Sequence, residues 1–161
     1  MYLGLDKGIA LVTAASRGIG RATAERLAME GMTVVVAARS VGTEREDLGE
    51  GHIVPIEADL GDAAATATLV DTVVEQYGSL DVAVLNTPGP PIVSALGTSW
   101  SDWQKAHDLL LRPIVQLGIA AARQMQTQRR GSIVLMSSTW VRQPAAGGVL
   151  SASYRSARPR S

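Results

Sequence analysis

Two hydrophobic rhythms alternate along this chain. Short unbroken apolar runs at 9–13, 33–37, 53–56, 80–85 and 133–136 have strand length and no polar alternation. That is the mark of strands buried on both faces of a parallel sheet. Between them lie stretches with apolar residues three and four apart. Residues 21–30 are good helix formers and end at Gly31, while residues 63–77 carry Leu69, Val70, Val73 and Tyr77 at helical spacing and end at Gly78. A glycine just past the last turn takes the left-handed conformation that closes a helix. Residues 103–126 predict one long helix, with Ser101 as N-cap and a kink at Pro113, which has no N–H for the helical ladder. Pro55 removes a ladder donor from the third strand and predicts a sheet edge there. Residues 41–52 are too few for a helix of ordinary length between the second and third strands.

Strands alternating with helices of this length build βαβ units. Their right-handed crossovers give an α/β fold, a doubly wound parallel sheet of Rossmann type. Such sheets take ligands in a crevice outside the carboxyl ends of the strands. The first strand runs into Thr13-Ala14-Ala15-Ser16-Arg17-Gly18-Ile19-Gly20 and then the first helix, the context of a dinucleotide-binding turn. Gly18 can take a positive φ, and Gly20 lets the helix approach the turn. The unpaired N–H groups at the helix start then face a pyrophosphate. Thr13, Ala15, Ser16, Arg17, Gly18, Ile19 and Gly20 form the expected cradle. A tight strand–helix turn without a ligand is the alternative.

Composition narrows the class. At 161 residues, 46% hydrophobic, 19% charged and 4% aromatic, the chain reads as one globular domain. A domain of that size hides roughly 70% of its unfolded surface. No apolar run approaches the ~20 residues of a membrane span. The absence of cysteine excludes a disulfide scaffold, a zinc–cysteine site and an iron–sulfur cluster, and no metal site is expected. No charged-then-apolar leader opens the chain, so the expectation is a cytoplasmic protein. Basic and acidic residues balance at 15 each, which gives no global field for nucleic acid, and no aromatic stacking platform appears. The balance is uneven along the chain: all acidic residues lie at or before Asp108, and eight arginines follow with no carboxylate. That tail reads either as a polyanion-binding arm or as a set of cations whose acidic partners lie in sequence this chain lacks.

The glycine turn resembles that of the short-chain dehydrogenase/reductase family, Thr-Gly-x-x-x-Gly-x-Gly, with Ala14 at the first glycine. The resemblance continues through Asp59-Leu60, the family's adenine-contacting pair, and Asn86-Thr87-Pro88-Gly89, its Asn-Asn-Ala-Gly turn. It reaches Gly131-Ser132-Ile133-Val134-Leu135-Met136-Ser137-Ser138, and so covers essentially the whole chain in order. It implies a nicotinamide cofactor held by the glycine turn, Asp59, Leu60, Asn86, Pro88 and Gly89. NAD selectivity in such folds comes from a carboxylate at the end of the second strand, where this chain has Val36-Ala37-Ala38-Arg39. Arg39 and Arg17 suit a 2′-phosphate, so NADP(H) is expected over NAD(H); two solvated arginines are the alternative.

The family's chemistry uses a Ser that polarises the substrate oxygen, a Tyr that passes a proton, a Lys that lowers the Tyr pKa, and an Asn from the long helix. Ser138 matches the Ser, and Leu110 stands where the Asn is expected. His107 and Asp108 are neighbours whose side chains should diverge on a helix, so they are not read as a dyad; His52 reads as a loop residue. Two registers compete for the Tyr–Lys pair. The usual spacing, 13 residues after Ser138, lands on Ser151 with Arg155 in the Lys place. A subgroup with Ser-Asn-x-x-Arg there also shares a Val-Arg-Gln-Pro segment, as in Val141-Arg142-Gln143-Pro144, and an Asn-Thr-Gly-Gly-Pro-Pro loop like Asn86-Thr87-Pro88-Gly89-Pro90-Pro91. The second register takes Tyr154 with Arg158, on a loop three residues longer. Arginine never gives up its proton, which favours the first register for this chain and leaves no well-placed general acid.

Family members run to roughly 250 residues. The expectation is therefore a single incomplete dinucleotide-binding domain over 1–161, lacking the C-terminal strands and the substrate loop. The implied activity is an NADP(H)-dependent oxidoreductase acting on a small carbonyl or alcohol, weak or inactive in this form. A non-catalytic nucleotide-binding or structural remnant is the rival. An unpaired last strand further predicts a homo-oligomer.

Overall fold

The computed structural model describes Leu5 and residues 7–157. Arg158, which completes the second register, and the Pro159-Arg160-Ser161 tail lie outside the described residues. Among the described residues six strands form one sheet: β1 (Ile9–Thr13), β2 (Thr33–Ala38), β3 (Glu46–Leu48), β4 (Gly51–Glu57), β5 (Val82–Leu85) and β6 (Ser132–Leu135). Their order is β3-β4-β2-β1-β5-β6, and every neighbouring pair is parallel except the β3–β4 hairpin. Strand order reverses beside β1, where a doubly wound sheet opens its crevice.

Among the described residues five helices flank the sheet: α1 (Gly18–Met29), α2 (Ala63–Tyr77), α3 (Trp100–Leu110), α4 (Arg112–Gln128) and α5 (Val149–Ser156). The unbroken apolar runs are explained by two cores, because alternate strand residues face opposite sides. Leu11, Val35, Ala83 and Leu85 pack with Leu69, Val70 and Val73 of α2 and Ile114, Leu117 and Ala121 of α4. Ala10, Val12, Val34 and Val36 face the other way, onto Ala24 and Ala28 of α1. The small alanines let that helix lie close to the sheet. Gly31 and Gly78 take φ of 92° and 82°, closing α1 and α2 as their sequence positions require.

The structure corrects two local expectations about the helices. The long helix is two helices that part at Leu111, ahead of Pro113. Pro113 cannot donate to the Leu109 carbonyl, so the ladder stops and the ring occupies the first turn of α4, where no N–H is needed. The N-cap is Ser99 rather than Ser101. Its hydroxyl accepts the Asp102 N–H, and the Asp102 carboxylate accepts the Ser99 N–H, closing a capping box. In place of a second helix, residues 46–48 form the edge strand β3, tied to α1 by Arg21, which pairs with both Glu25 and Glu46. The hydrogen bonds Arg21 donates to those two carboxylates, Glu46 foremost, hold its pKa above its ordinary value.

Pro55 does lie on an open flank, since β3 covers β4 only from Gly51 to Ile53. His52 sits in β4, not in a loop, and its Nε2 is 3.2 Å from the Thr33 hydroxyl. At the far end of the sheet, β6 pairs only with β5 among the described residues, and Ile133 and Val134 are exposed. No helix among the described residues is long and apolar enough to cross a membrane.

Candidate active site

The turn between β1 and α1 is held by its own backbone. Ala14 takes φ of 49° and Gly18 φ of 63°. The first is a left-handed conformation that glycine adopts without strain and alanine does not. A Cβ on Gly20 would stand 2.8 Å from the Ala14 carbonyl oxygen and 2.9 Å from the Ala15 Cα, so only glycine fits where α1 crosses the turn. Ala15 is fully buried beneath the turn, and Ile19 is exposed above it. Arg17, in extended backbone, is the N-cap residue, and no side chain caps the helix. The first N–H groups of α1 are therefore available to an anion.

Thr13 joins this turn to the loop after β5. Its hydroxyl donates to the Asn86 carbonyl at 2.6 Å and accepts the Asn86 N–H at 2.9 Å, while the Asn86 amide donates to the Ala14 carbonyl at 3.3 Å. A cleft of about 630 Å³ opens over the carboxyl ends of the strands. It gathers Ser16, Arg17 and Gly18 with Arg39, Asp59, Leu60, Asn86, Pro88 and Gly89. Ala38, Ser40, Ala58 and Leu109 also line it. Of these, Leu109, near the end of α3, carried no signal in the sequence. Arg17 and Arg39 are exposed and pair with no described carboxylate; the Asp59 carboxylate accepts the Gly61 N–H at 2.8 Å.

Beyond β6 lies Ser138, which, like Ser151 and Arg155, does not line that cleft. Its Oγ accepts the Trp140 N–H at 3.2 Å, capping a 3-10 turn at Thr139–Val141. Ser151 and Arg155 sit one turn apart on α5, both buried. The Arg155 guanidinium donates from Nε to Ser151 Oγ at 3.2 Å. At 3.4 Å its terminal nitrogens reach the carbonyls of Met136, Thr87 and Pro88. Burial pulls the Arg155 pKa below its ordinary value. Tyr154 points elsewhere: its hydroxyl donates to the Trp103 carbonyl at 2.9 Å, and its ring packs on Trp103 and edge-on to His107. Leu110 is buried in the same α3–α5 contact.

His107 and Asp108 do touch, at 3.0 Å between Nδ1 and Oδ1, against the expectation that neighbours on a helix diverge. Both side chains are half exposed and fold back along the surface, where Asp108 also meets Arg112 at 3.3 Å. Neither lines the cleft. Among the described residues no group of three or more His, Asp or Glu side chains could hold a metal.

A parallel sheet with a glycine turn after its first strand and a crevice at the switch of strand order is a Rossmann-type α/β fold. Residues 8–157 match the family described as short chain dehydrogenase, and the chain belongs to that family. It is 34% identical over 145 residues to the short-chain reductase protein NovJ of Streptomyces niveus, covering 85% of this chain and 54% of that protein. It is 35% identical over 148 residues to glucose 1-dehydrogenase 2 of Bacillus subtilis, covering 86% of this chain and 57% of the relative. The chain thus spans little more than half the length of these curated relatives. A crystal structure of a metagenomic short-chain oxidoreductase in complex with NADP is similar to it at a TM-score of 0.83 and 27% identity, over 94% of this chain and 71% of that one.

Proposed function

We propose that this chain is the cofactor-binding portion of an NADP(H)-dependent oxidoreductase acting on a carbonyl or alcohol carbon. The observation that carries the reading is the single cleft that joins Arg17 and Gly18 of the turn, Arg39 at the end of β2, Asp59 and the Asn86–Pro88–Gly89 loop. The turn fits a dinucleotide: a glycine that no Cβ can replace, a helix start without a side-chain cap, and two cations with no described partner. Ser16 and the first N–H groups of α1 would hold the pyrophosphate, Arg17 and Arg39 a 2′-phosphate, and Asp59 with Leu60 the adenine end. When bound, the nicotinamide supplies or accepts a hydride.

Ser138 has its acceptor role filled by the Trp140 N–H, so its hydroxyl proton is available to a substrate oxygen. Ser151 and Arg155 stand at the next turn of the site, whereas the Tyr154 hydroxyl is committed to the Trp103 carbonyl. That geometry supports the first register. Two serines are weak acids, and a missing general acid typically costs about 10²–10⁴-fold in rate. Carbonyl reduction by this chain alone is therefore slow. No nucleic acid or membrane enters the reading, and a homo-oligomer in the cytoplasm is the setting expected.

NADPH oxidation with a panel of ketones and quinones tests the proposal. Slow turnover that Ser138→Ala abolishes and Tyr154→Phe leaves intact is the expected result. Brisk turnover lost in Tyr154→Phe would contradict the first register and the expected slow rate together.

A further inference from the structure

One arginine outside the cleft reaches two segments that wall it. Asp59 and Leu60, in the turn after β4, line the cleft, as does Leu109 near the end of α3. Arg112 lines no part of it. Its Nη2 donates to the Gly61 carbonyl, one residue past Leu60, and to the Asp108 carbonyl at 3.1 Å, one residue before Leu109. Its Nε meets the Asp108 carboxylate at 3.3 Å. Its Nη1 reaches the Thr66 hydroxyl at 3.3 Å and the Gln116 side-chain oxygen at 3.2 Å.

The groups it holds are themselves fixed. The Gly61 N–H donates to the Asp59 carboxylate at 2.8 Å and the Asp62 N–H to the Asp59 carbonyl at 3.0 Å, so residues 59–62 form one closed turn. The Thr66 hydroxyl lies 2.8 Å from Gln116 Oε1, joining α2 to α4 beside the guanidinium. A guanidinium presents its donors in a rigid plane and can bond two segments at once, whereas an ammonium is a point charge on a flexible stem. As the first residue of α4, Arg112 sits where the macrodipole of that helix disfavours a cation. Its gain therefore comes from the groups it bonds, the end of α3 included. All three of its nitrogens are taken up by protein oxygens, and its side chain is 17% exposed.

We propose that Arg112 is a positioning residue for the adenine half of the cofactor. It ties the Asp59–Gly61 turn to the end of α3 and so fixes the spacing of Leu60 and Leu109 in the cleft. The inference rests on the NADP(H) reading, in which Asp59 and Leu60 meet the adenine. The shape of the cleft at that end is then set by a side chain that touches no ligand. Arg17 and Arg39 serve as charges beside a phosphate, while Arg112 serves as a brace. Without the brace, the turn and the helix end lose their shared partner. The adenine must then organise its own wall on binding, and ordering of that kind is subtracted from affinity.

Calorimetric titration of the chain with NADPH and with 2′,5′-ADP, which carries the adenine half alone, tests this. Arg112→Gln should weaken both ligands by the same factor, about tenfold. Arg112→Lys keeps the charge but loses the fork, and should weaken both nearly as much. Circular dichroism and a melting temperature above that of the titration establish that each variant is folded; if Arg112→Gln is not, Arg112→Lys decides. Three results would overturn the proposal. Affinities unchanged in Arg112→Gln would show that no brace is needed. Parent affinity in Arg112→Lys would show a charge acting at a distance. A loss for NADPH much larger than for 2′,5′-ADP would show a disturbance of the whole cleft. In each of these the parent still binds NADPH, so the oxidoreductase reading stands. A parent chain that binds neither ligand removes that reading and the inference with it.

Discussion

Thr13 and Asn86 exchange two hydrogen bonds through one side chain: the Thr13 hydroxyl donates to the Asn86 carbonyl at 2.6 Å and accepts its N–H at 2.9 Å. The threonine thereby continues the β1–β5 ladder beyond the last strand pair, Val12 with Val84, and fixes the glycine turn against the loop that lines the cleft. Thr13→Val keeps the shape and leaves both Asn86 backbone groups without that partner. The loss should be about 1–3 kcal/mol in chemical denaturation, with weakened NADPH binding. Unchanged stability would show that the turn does not depend on this link.

Ala14 and Gly20 give opposite expectations within the same turn. A left-handed alanine costs about 1–2 kcal/mol, part of which a glycine gives back in unfolded-chain entropy. Ala14→Gly, with φ already at 49°, should therefore stabilise the chain by up to about 1 kcal/mol. Gly20→Ala forces a Cβ to 2.8 Å from the Ala14 oxygen and should destabilise it by about 1–3 kcal/mol. Thermal melts of the two variants moving in the same direction would contradict this geometry.

Much of this was legible in sequence because it depends on local chemistry. Gly18 and Gly20 reported the turn, Gly31 and Gly78 the helix ends, and the unbroken Thr33–Ala37 run a strand buried on both faces. What escaped depended on contacts between distant segments. The strand at Glu46–Leu48 has no apolar pattern; it exists because Arg21 of α1 reaches Glu46 and because β4 offers a free flank. The helix break at Leu111 follows from Pro113, but that Leu109 lines the cleft is settled by tertiary packing that no local pattern shows. Ser151 and Arg155 were singled out only through the resemblance. No local pattern announces that an arginine on α5 will bind carbonyls at the ends of two strands.

Acid should weaken the opposite end of the sheet. Burial alone would raise the Asp81 carboxyl, but bonds from the Ile9 N–H, Arg130 and Ser79 outweigh it and hold the pKa below the ordinary value. A carboxyl depressed in the folded state contributes stability above its unfolded pKa of about 3.9, and that stability is lost as pH falls through the folded value. Asp81→Asn should thus lower the melting temperature at neutral pH, and the gap to the parent should close on acidification below about pH 4. A gap independent of pH would contradict the assignment.

The open side of β6 bears on assembly. Ile133 and Val134 are 36% and 45% exposed on a strand with one described neighbour. Unpaired apolar edges associate. Light scattering should report an oligomer, or mass growing with concentration, and Val134→Lys should reduce it. A monomer at all concentrations would contradict this expectation.

The central claim is that the cleft over β1 and β2 holds a phosphorylated dinucleotide, with Arg17 and Arg39 in place of a carboxylate at the end of β2. Calorimetric titration of the chain with NADPH and with NADH tests it most directly. NADPH should bind more tightly by about tenfold or more, as expected for charged hydrogen bonds to a phosphate, and Arg39→Ala should weaken NADPH while leaving NADH unchanged. Equal affinities for the two cofactors, or an Arg39→Ala variant that loses both alike, would contradict the account.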